Sequence, residues 1–418
     1  MAYLLVFLVT LCLLPSSYGF AVTKQRVLVI GSINVDLYQR LDAEGTASIG
    51  GRRVPFGPVK GQTLPAASFT KAVGESPAPG MEEAHVLLLE GPFEQKTGGK
   101  GANAAAAAGQ TYPAELIANF GEHSASENAN LRADLDRYGS VHIGRCRTLE
   151  GTPTGTAFIM LFADNDNSIV LIGGANQQWP AREVLTGDAS AAEDEVQVGA
   201  EVREAIGSSV ALMLQREVPH HVNAAAASVA REARVPVFMD VGGTDEPLDA
   251  ALLPHISVVA PNESELQFIS GVDLCLDGGG GLSRARVRCA VAALKAKFAA
   301  AGNAPVEVLV TLGMRGSLHC DGGWTLERAA EHETRMGCFA LARTGSPVDT
   351  TGAGDCFRGS FVSARYGEGK SVVDAMRWAA AAASLAVEVE GAMVSMPTRE
   401  QIAERAKGDV LGLEGEWA

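Results

Sequence analysis

Cysteine is sparse and unpatterned in this chain: the seven residues, at 12, 146, 275, 289, 320, 338 and 356, are odd in number and form no Cys-x-x-Cys pair. That spacing offers no zinc site and fits a reducing compartment better than a disulfide-built one. Cys356 beside Asp355 reads as a small helix residue. The eight histidines form no metal-binding pattern either, and His220 and His221 after Pro219 read as a surface turn. Basic residues are too few to balance the acids, 34 against 49, leaving a net charge of −15. This deficit argues against non-specific nucleic-acid binding and against docking on an anionic membrane. It does not exclude a small anionic ligand, because backbone N–H groups and a bound cation can supply a local positive field. No Gly-Lys-Ser/Thr follows a glycine and a four-residue spacer, so a Walker-type phosphate loop is absent. Internal repeats are absent too. The one long apolar run, Tyr3-Leu-Leu-Val-Phe-Leu-Val-Thr-Leu-Cys-Leu-Leu14, is short for a membrane span and makes residues 1–22 presequence-like.

What the chain does have is length and apolar content. With 418 residues and 47% hydrophobic composition it can bury a large core, as one long domain or two. Apolar runs near 26–30, 116–119, 157–162, 209–214, 236–240, 256–260 and 306–311 read as strands separated by helical stretches. Such alternation implies an α/β fold with a mostly parallel sheet covered on both faces. The Ala-rich run 374–388 reads as a buried or half-buried helix. The acidic stretch 191–201 and the glycine run 277–281 read as surface loops.

Three glycine-bearing or polar turns carry the chemistry. In Asp349-Thr-Thr-Gly-Ala-Gly-Asp355, Gly352 and Gly354 permit turn conformations closed to other residues. The following run to Tyr366 reads as a helix starting near Asp355. The N–H groups of Ala353, Gly354 and Asp355 would then face a pocket and suit a phosphate or a moving phosphoryl group. Asp355 sits where a carboxylate could take a proton from an attacking hydroxyl. The alternative is an Asp cap after a tight turn, which is common. A second cluster, Gly98-Gly-Lys-Gly-Ala-Asn103, opens the helical run 104–109 and places Lys100 and Asn103 as donors beside an approachable backbone. The third is Asn34 and Asp36, just past the strand 26–30, where ligands bind in open α/β sheets. A capped turn is the competing reading for each of these two.

In this order the three elements resemble the ribokinase branch of the PfkB sugar-kinase family. Further matches are Gly151-Thr-Pro-Thr-Gly155, Gly173-Gly-Ala-Asn176, Leu212-Met-Leu-Gln-Arg-Glu217, Pro261-Asn-Glu-Ser-Glu265, Thr311-Leu-Gly-Met-Arg-Gly316 and Gly391-Ala-Met-Val-Ser-Met-Pro397. The resemblance runs from about Arg26 to about Pro397. It implies a ribokinase-like three-layer sandwich over roughly 23–410, with a small β lid from about 37–97 and 152–172. The first lid segment carries a Pro/Gly-rich insertion around 74–83.

The activity implied is ATP-dependent phosphorylation of ribose at its primary hydroxyl. Asn34, Asp36, Gly99, Lys100, Gly101, Asn103 and Glu217 would hold the sugar. Asp355 would act as general base, with 353–355 as the anion hole and Gly352 counted with them among the catalytic residues. Asn262, Thr311, Leu312, Gly313, Met314, Arg315 and Gly316, together with Gly354 and Asp355, would serve ATP. Glu265 would hold Mg²⁺ through water. Asp349, Thr351, Ala386, Val389, Gly391 and Ser395 would bind K⁺. One departure from the family is Ala380, where a polar contact to adenine is usual. Another sugar or nucleoside kinase of the family, acting on deoxyribose, fructose or adenosine, and a catalytically silent scaffold are the competing readings. The lid implies a homodimer. A need for ATP speaks for the cytoplasm and against secretion. Phe20 after small residues also resembles the start of a plastid presequence, which leaves a plastid as the alternative.

Overall fold

The computed structural model describes residues 25–411 apart from 42–45, 50–51, 56–62, 66–88, 91–93, 123–124, 139, 163–166, 181–184, 186–192, 245, 277–279 and 342. The presequence-like segment 1–22 and the insertion at 74–83 lie outside the described residues.

Arg26–Ile30 is apolar along its length because both of its faces are covered. Val27 and Val29 enter one apolar cluster, Leu28 and Ile30 the other. The strand's period of two sends alternate residues to opposite sides. It is the third strand of a nine-stranded sheet ordered Val141–His142, Ala114–Ile117, Arg26–Ile30, Ser209–Leu214, Val237–Asp240, Val258–Ala260, Glu307–Thr311, Ser317–Cys320 and Glu333–Met336. The first seven run parallel, and the last two return antiparallel at one edge. Helices Lys100–Gly109, Ala353–Val362 and Val372–Ala386 supply residues to the first cluster. Helices Glu193–Gly207, His220–Glu232, Glu263–Ser270 and Arg284–Ala300 supply the second. The three layers expected of the sandwich are present. Lys100–Gly109 and Ala353–Val362 approach closely because small residues line the contact. A methyl group at Gly359 would lie 2.5 Å from the Ala104 carbonyl oxygen.

A second sheet is ordered Thr63–Pro65, Asn167–Ile172, Gly155–Leu161, Asn34–Arg40 and Glu94–Gly98. Asp36 stands opposite Ala157 on one neighbour and Lys96 on the other. The strand expected at 116–119 lies two residues earlier, at Ala114–Ile117. Two expectations are overturned. Within 191–201, the residues from 193 onward belong to helix Glu193–Gly207, whose Val202, Ala205 and Ile206 face the core at helical spacing. His220 and His221 begin a helix, and its Val222, Ala225, Ala226 and Val229 are buried. Part of the glycine run pairs as Gly280–Leu282 with Cys275–Leu276. Among the described residues no helix is long and apolar enough to cross a membrane.

Candidate active site

Several of the polar residues singled out in the sequence arrive at the carboxyl ends of the parallel strands, where chain reversals leave a crevice. Asn34 follows Arg26–Ile30, Glu217 follows Ser209–Leu214, and Asn262 follows Val258–Ala260. A cavity of about 480 Å³ lies there, roofed by Ala157, Ile159, Ile169 and Leu171 of the second sheet. The amino ends of helices Lys100–Gly109 and Ala353–Val362 border it.

Gly352 is the N-cap of the second helix with φ 76°, a conformation that strains any residue with a side chain. A side chain there would also press on Ala392 at 3.0 Å. The Ala353 N–H donates to the Thr350 carbonyl at 3.2 Å, and the Cys356 N–H returns to Gly352 O at 2.8 Å. Gly354 and Asp355, second and third in the helix, have no carbonyl four residues back within it to receive their N–H groups. This turn therefore leaves two N–H donors where three were expected, because Ala353 closes the turn itself. The Asp355 carboxylate is buried beside them, accepting from Asn103 Nδ2 at 2.9 Å and from Lys100 Nζ at 3.3 Å.

Opposite lies a set of acceptors. Asp36 Oδ1 and Asn103 Oδ1 are buried without a partner, a cost that a hydrogen-bonding ligand in the cavity would relieve. Glycine at 98 makes room for the first: a methyl there would overlap Asp36 Oδ2 at 1.8 Å. Burial raises the Asp36 carboxyl well above the usual carboxylate range, and repulsion from Glu217, Asp355 and Asp349 adds to this. Burial likewise raises Glu217, whose Oε2 accepts from Ser32 Oγ at 2.5 Å and from the Lys100 N–H at 3.0 Å. Gly101 abuts Ser32, with its N–H 3.3 Å from Ser32 Oγ, and Gly99 takes φ 93° to begin the helix. Asn34 Oδ1 accepts from Asn176 Nδ2 at 2.7 Å, and the same Asn176 exchanges bonds with the Ile33 backbone. Asn34, Asp36, Gly99, Lys100, Asn103, Glu217 and Asp355 all line the cavity.

The Asn-x-x-Glu sequence is first of all a capping box. Asn262 Oδ1 accepts from the Glu265 N–H at 2.8 Å, and Glu265 Oε2 accepts from the Asn262 N–H at 2.8 Å. Capping engages Glu265 Oε2, while a methyl at Gly242 would meet Glu265 Oε1 at 2.5 Å and Lys100 Nζ at 2.8 Å. Asn262 and Glu265 line the same cavity as Asp355. Residues 311–316 do not. Their turn stands beside it, tied back by the Thr311 N–H to Pro261 O at 3.0 Å, with Met314 exposed. Ala380 is buried in an apolar cluster away from the cavity.

Asp349 ties two loops together, its Oδ1 accepting from the Thr351 N–H and its Oδ2 from the Gly391 N–H, each at 2.8 Å. The Ala386 carbonyl accepts from Val389 N–H at 3.1 Å, and Ser395 Oγ donates to Ala392 O at 2.7 Å. Asp349 thus joins Thr351 to Gly391, while the contacts of Ala386, Val389 and Ser395 are local ones.

Two residues escaped the sequence reading. Asp240, at the end of Val237–Asp240, accepts from Lys100 Nζ at 3.2 Å, and Arg358 donates to the same Asp240 oxygen at 3.2 Å. Burial works against an ionised Asp240, and the adjoining Arg358 and Lys100 overcome it, so its carboxyl is lowered. Burial also opposes charge on Lys100, yet Asp240 and Asp355 hold its ammonium raised. Only tertiary contact could have revealed them.

A buried acid thus sits in a helix-start turn, across a cavity roofed by the second sheet from two unpaired acceptors of an α/β fold. The family described as pfkB family carbohydrate kinase matches residues 75–399, and the chain belongs to it. The ribokinase of Arabidopsis thaliana is 34% identical over 312 residues, 74% of this chain and 72% of that protein. The ribokinase of Haemophilus influenzae is 29% identical, over 73% of this chain and 86% of that protein. The structure of Arabidopsis thaliana ribokinase complexed with ribose and ATP aligns with a TM-score of 0.66 at 30% identity, covering 93% of this chain and 100% of that one.

Proposed function

We propose that this chain phosphorylates D-ribose at its primary 5-hydroxyl with ATP, giving ribose 5-phosphate. The observation that carries the reading is Asp355, buried beside the Gly354 and Asp355 N–H groups and facing the unpaired oxygens of Asp36 and Asn103. Asp36 and Asn103 take sugar hydroxyls, with Asn34, Lys100 and Glu217 around them. Asp355 takes the proton of the primary hydroxyl as it attacks the γ-phosphorus. The turn's N–H donors stabilise the charge that moves, each worth on the order of 2.7–4 kcal/mol in comparable oxyanion sites. Asn262 and Glu265 are oxygen donors suited to Mg²⁺ held through water, and that ion neutralises the phosphate oxygens when bound. Residues 311–316 border the nucleotide. A coupled ATP-consumption assay over ribose, deoxyribose, fructose and adenosine tests the assignment. Turnover should be greatest on ribose, and rapid turnover of fructose or adenosine with none on ribose overturns it.

Asp36 should display the conflict between binding and stability. Its raised carboxyl favours the folded state where it is protonated in both states, and that contribution is lost as pH rises from its ordinary 3.8 through the folded value. Asp36→Asn should therefore raise Tm near neutral pH while weakening ribose binding by about 1–3 kcal/mol. Melting curves at acid and neutral pH, with ribose calorimetry, check both parts. A variant that is no more stable than the parent at neutral pH contradicts the first.

The loops joined by Asp349 present a carboxylate, backbone carbonyls and a hydroxyl, an all-oxygen set that fits K⁺. A bound ion there steadies the turn at 352–355. Turnover should rise severalfold when K⁺ replaces Na⁺ at constant ionic strength, and Asp349→Ala should abolish the response. Equal rates in the two salts remove the ion from the reading. The reading also includes a homodimer joined through the lid sheet, which the molecular mass in solution tests.

A further inference from the structure

At the cavity lie two opposite charges, Arg358 in its wall and Asp240 paired behind it, each only 2% exposed. The Arg358 guanidinium uses all its edges. Nε donates to Ala260 O at 3.0 Å, Nη1 to Asp240 Oδ2 at 3.2 Å, and Nη2 to Glu265 Oε2 at 3.2 Å. Asp240 Oδ2 also receives Lys100 Nζ at 3.2 Å, while its Oδ1 accepts the Gly242 N–H at 2.9 Å. Lys100 Nζ in turn stands 3.3 Å from Asp355 Oδ1. The chain of contacts therefore runs from the base, Asp355, through Lys100, Asp240 and Arg358 to Glu265. The guanidinium also backs the anion turn, since a methyl at Gly354 would lie 2.8 Å from Nη1.

Stability alone is a poor reason for such a network, because well-packed apolar residues of similar volume often do as well. A planar fork that grips two carboxylates at once has a geometric use instead, and a lysine, a single point donor, cannot reproduce it. We propose that Arg358 is a positioning residue for phosphoryl transfer. Through Asp240 it fixes the Lys100 ammonium against Asp355, and directly it fixes the Glu265 carboxylate on the phosphate side. The identity of the ligands rests on the kinase reading above; the mechanical linkage does not.

The test uses the full chain with Arg358→Lys, Arg358→Met and Asp240→Asn. Calorimetry follows ADP binding with Mg²⁺ and with EDTA, and ribose binding without nucleotide; kcat and KM are measured separately. Arg358→Lys keeps a buried cation, so it should fold; it carries the test if Arg358→Met does not. It should lose about 10–100-fold in kcat, as supporting-residue changes around reactive groups commonly do. The gain in ADP affinity from Mg²⁺ should shrink with it, and ribose affinity should change little. Asp240→Asn should lower kcat while leaving the Mg²⁺-linked part nearer the parent. A folded Arg358→Lys with a lowered Tm but parental kcat and parental Mg²⁺ response overturns the proposal and leaves Arg358 a structural ion pair. If the parent enzyme fails to turn over ribose, the functional reading falls, and the Mg²⁺-linked ADP titration still decides the role of Arg358.

Discussion

Asp355→Asn should leave the chain folded and able to bind ribose while turnover drops by on the order of 10²–10⁴, the range for losing a positioned general base. The side chain keeps its shape, so the helix start and the Gly352 cap are undisturbed. Its two hydrogen-bond partners, Asn103 Nδ2 and Lys100 Nζ, are both donors. A carboxylate satisfies the pair. An amide satisfies one and turns its own NH₂ towards the other. Lys100 retains Asp240 as a partner at 3.2 Å, so the buried ammonium is not stranded. The loss should therefore appear in kcat, with ribose affinity by calorimetry close to the parent. Turnover near the parental rate would make Asp355 a helix-capping acid and transfer the base role elsewhere.

The parts of this site that could be read from the chain share one property: their chemistry is local. Gly352, Gly354 and Asp355 announce a tight turn into a helix because glycine spacing, acid and helix start fall within a few residues. The buried strands were legible as apolar runs for the same reason, and Arg26–Ile30 and Ser209–Leu214 appear where expected. Asp240 and Arg358 were not legible, since 118 positions separate them and each looks unremarkable alone. An arginine inside Ala353–Val362 interrupts an apolar pattern, and nothing nearby says that two carboxylates await it. Acid-rich composition hid the period of Glu193–Gly207, although Val202, Ala205 and Ile206 mark its buried face. Asn262 and Glu265 show the reverse case. Their spacing signals a capping box as strongly as a ligand site, and the structure contains the box within the cavity wall.

Gly101→Ala should be the most damaging change of a single methyl group in the site. From sequence, the glycines at 98, 99 and 101 read as leaving the backbone open to a ligand or as part of a capped turn. In the fold they divide the work. Gly98 clears space for the Asp36 carboxylate, whereas Gly101 lets the helix start press directly on the end of the first strand. An added methyl at 101 would lie 2.6 Å from both Ser32 N and Ser32 O, and 2.8 Å from the Gly31 carbonyl carbon. Those atoms are backbone and cannot swing aside as a side-chain tip could. Relief requires moving the helix start, and the Ala102 N–H is bonded to Ser32 O across that contact at 2.9 Å. Lys100 and Asn103 flank the displaced residue and would move away from Asp355 and the sugar. Such overpacking should cost about 1–3 kcal/mol of stability. Displacement of reacting groups by about 1 Å should lower kcat/KM for ribose by on the order of 10². Gly144→Ala is the matched control, because a methyl there meets nothing within 4 Å. Thermal melts and steady-state kinetics on both variants separate the effects. A folded Gly101→Ala with parental kcat/KM would show that the junction of the first strand with helix Lys100–Gly109 does not set the geometry of the site.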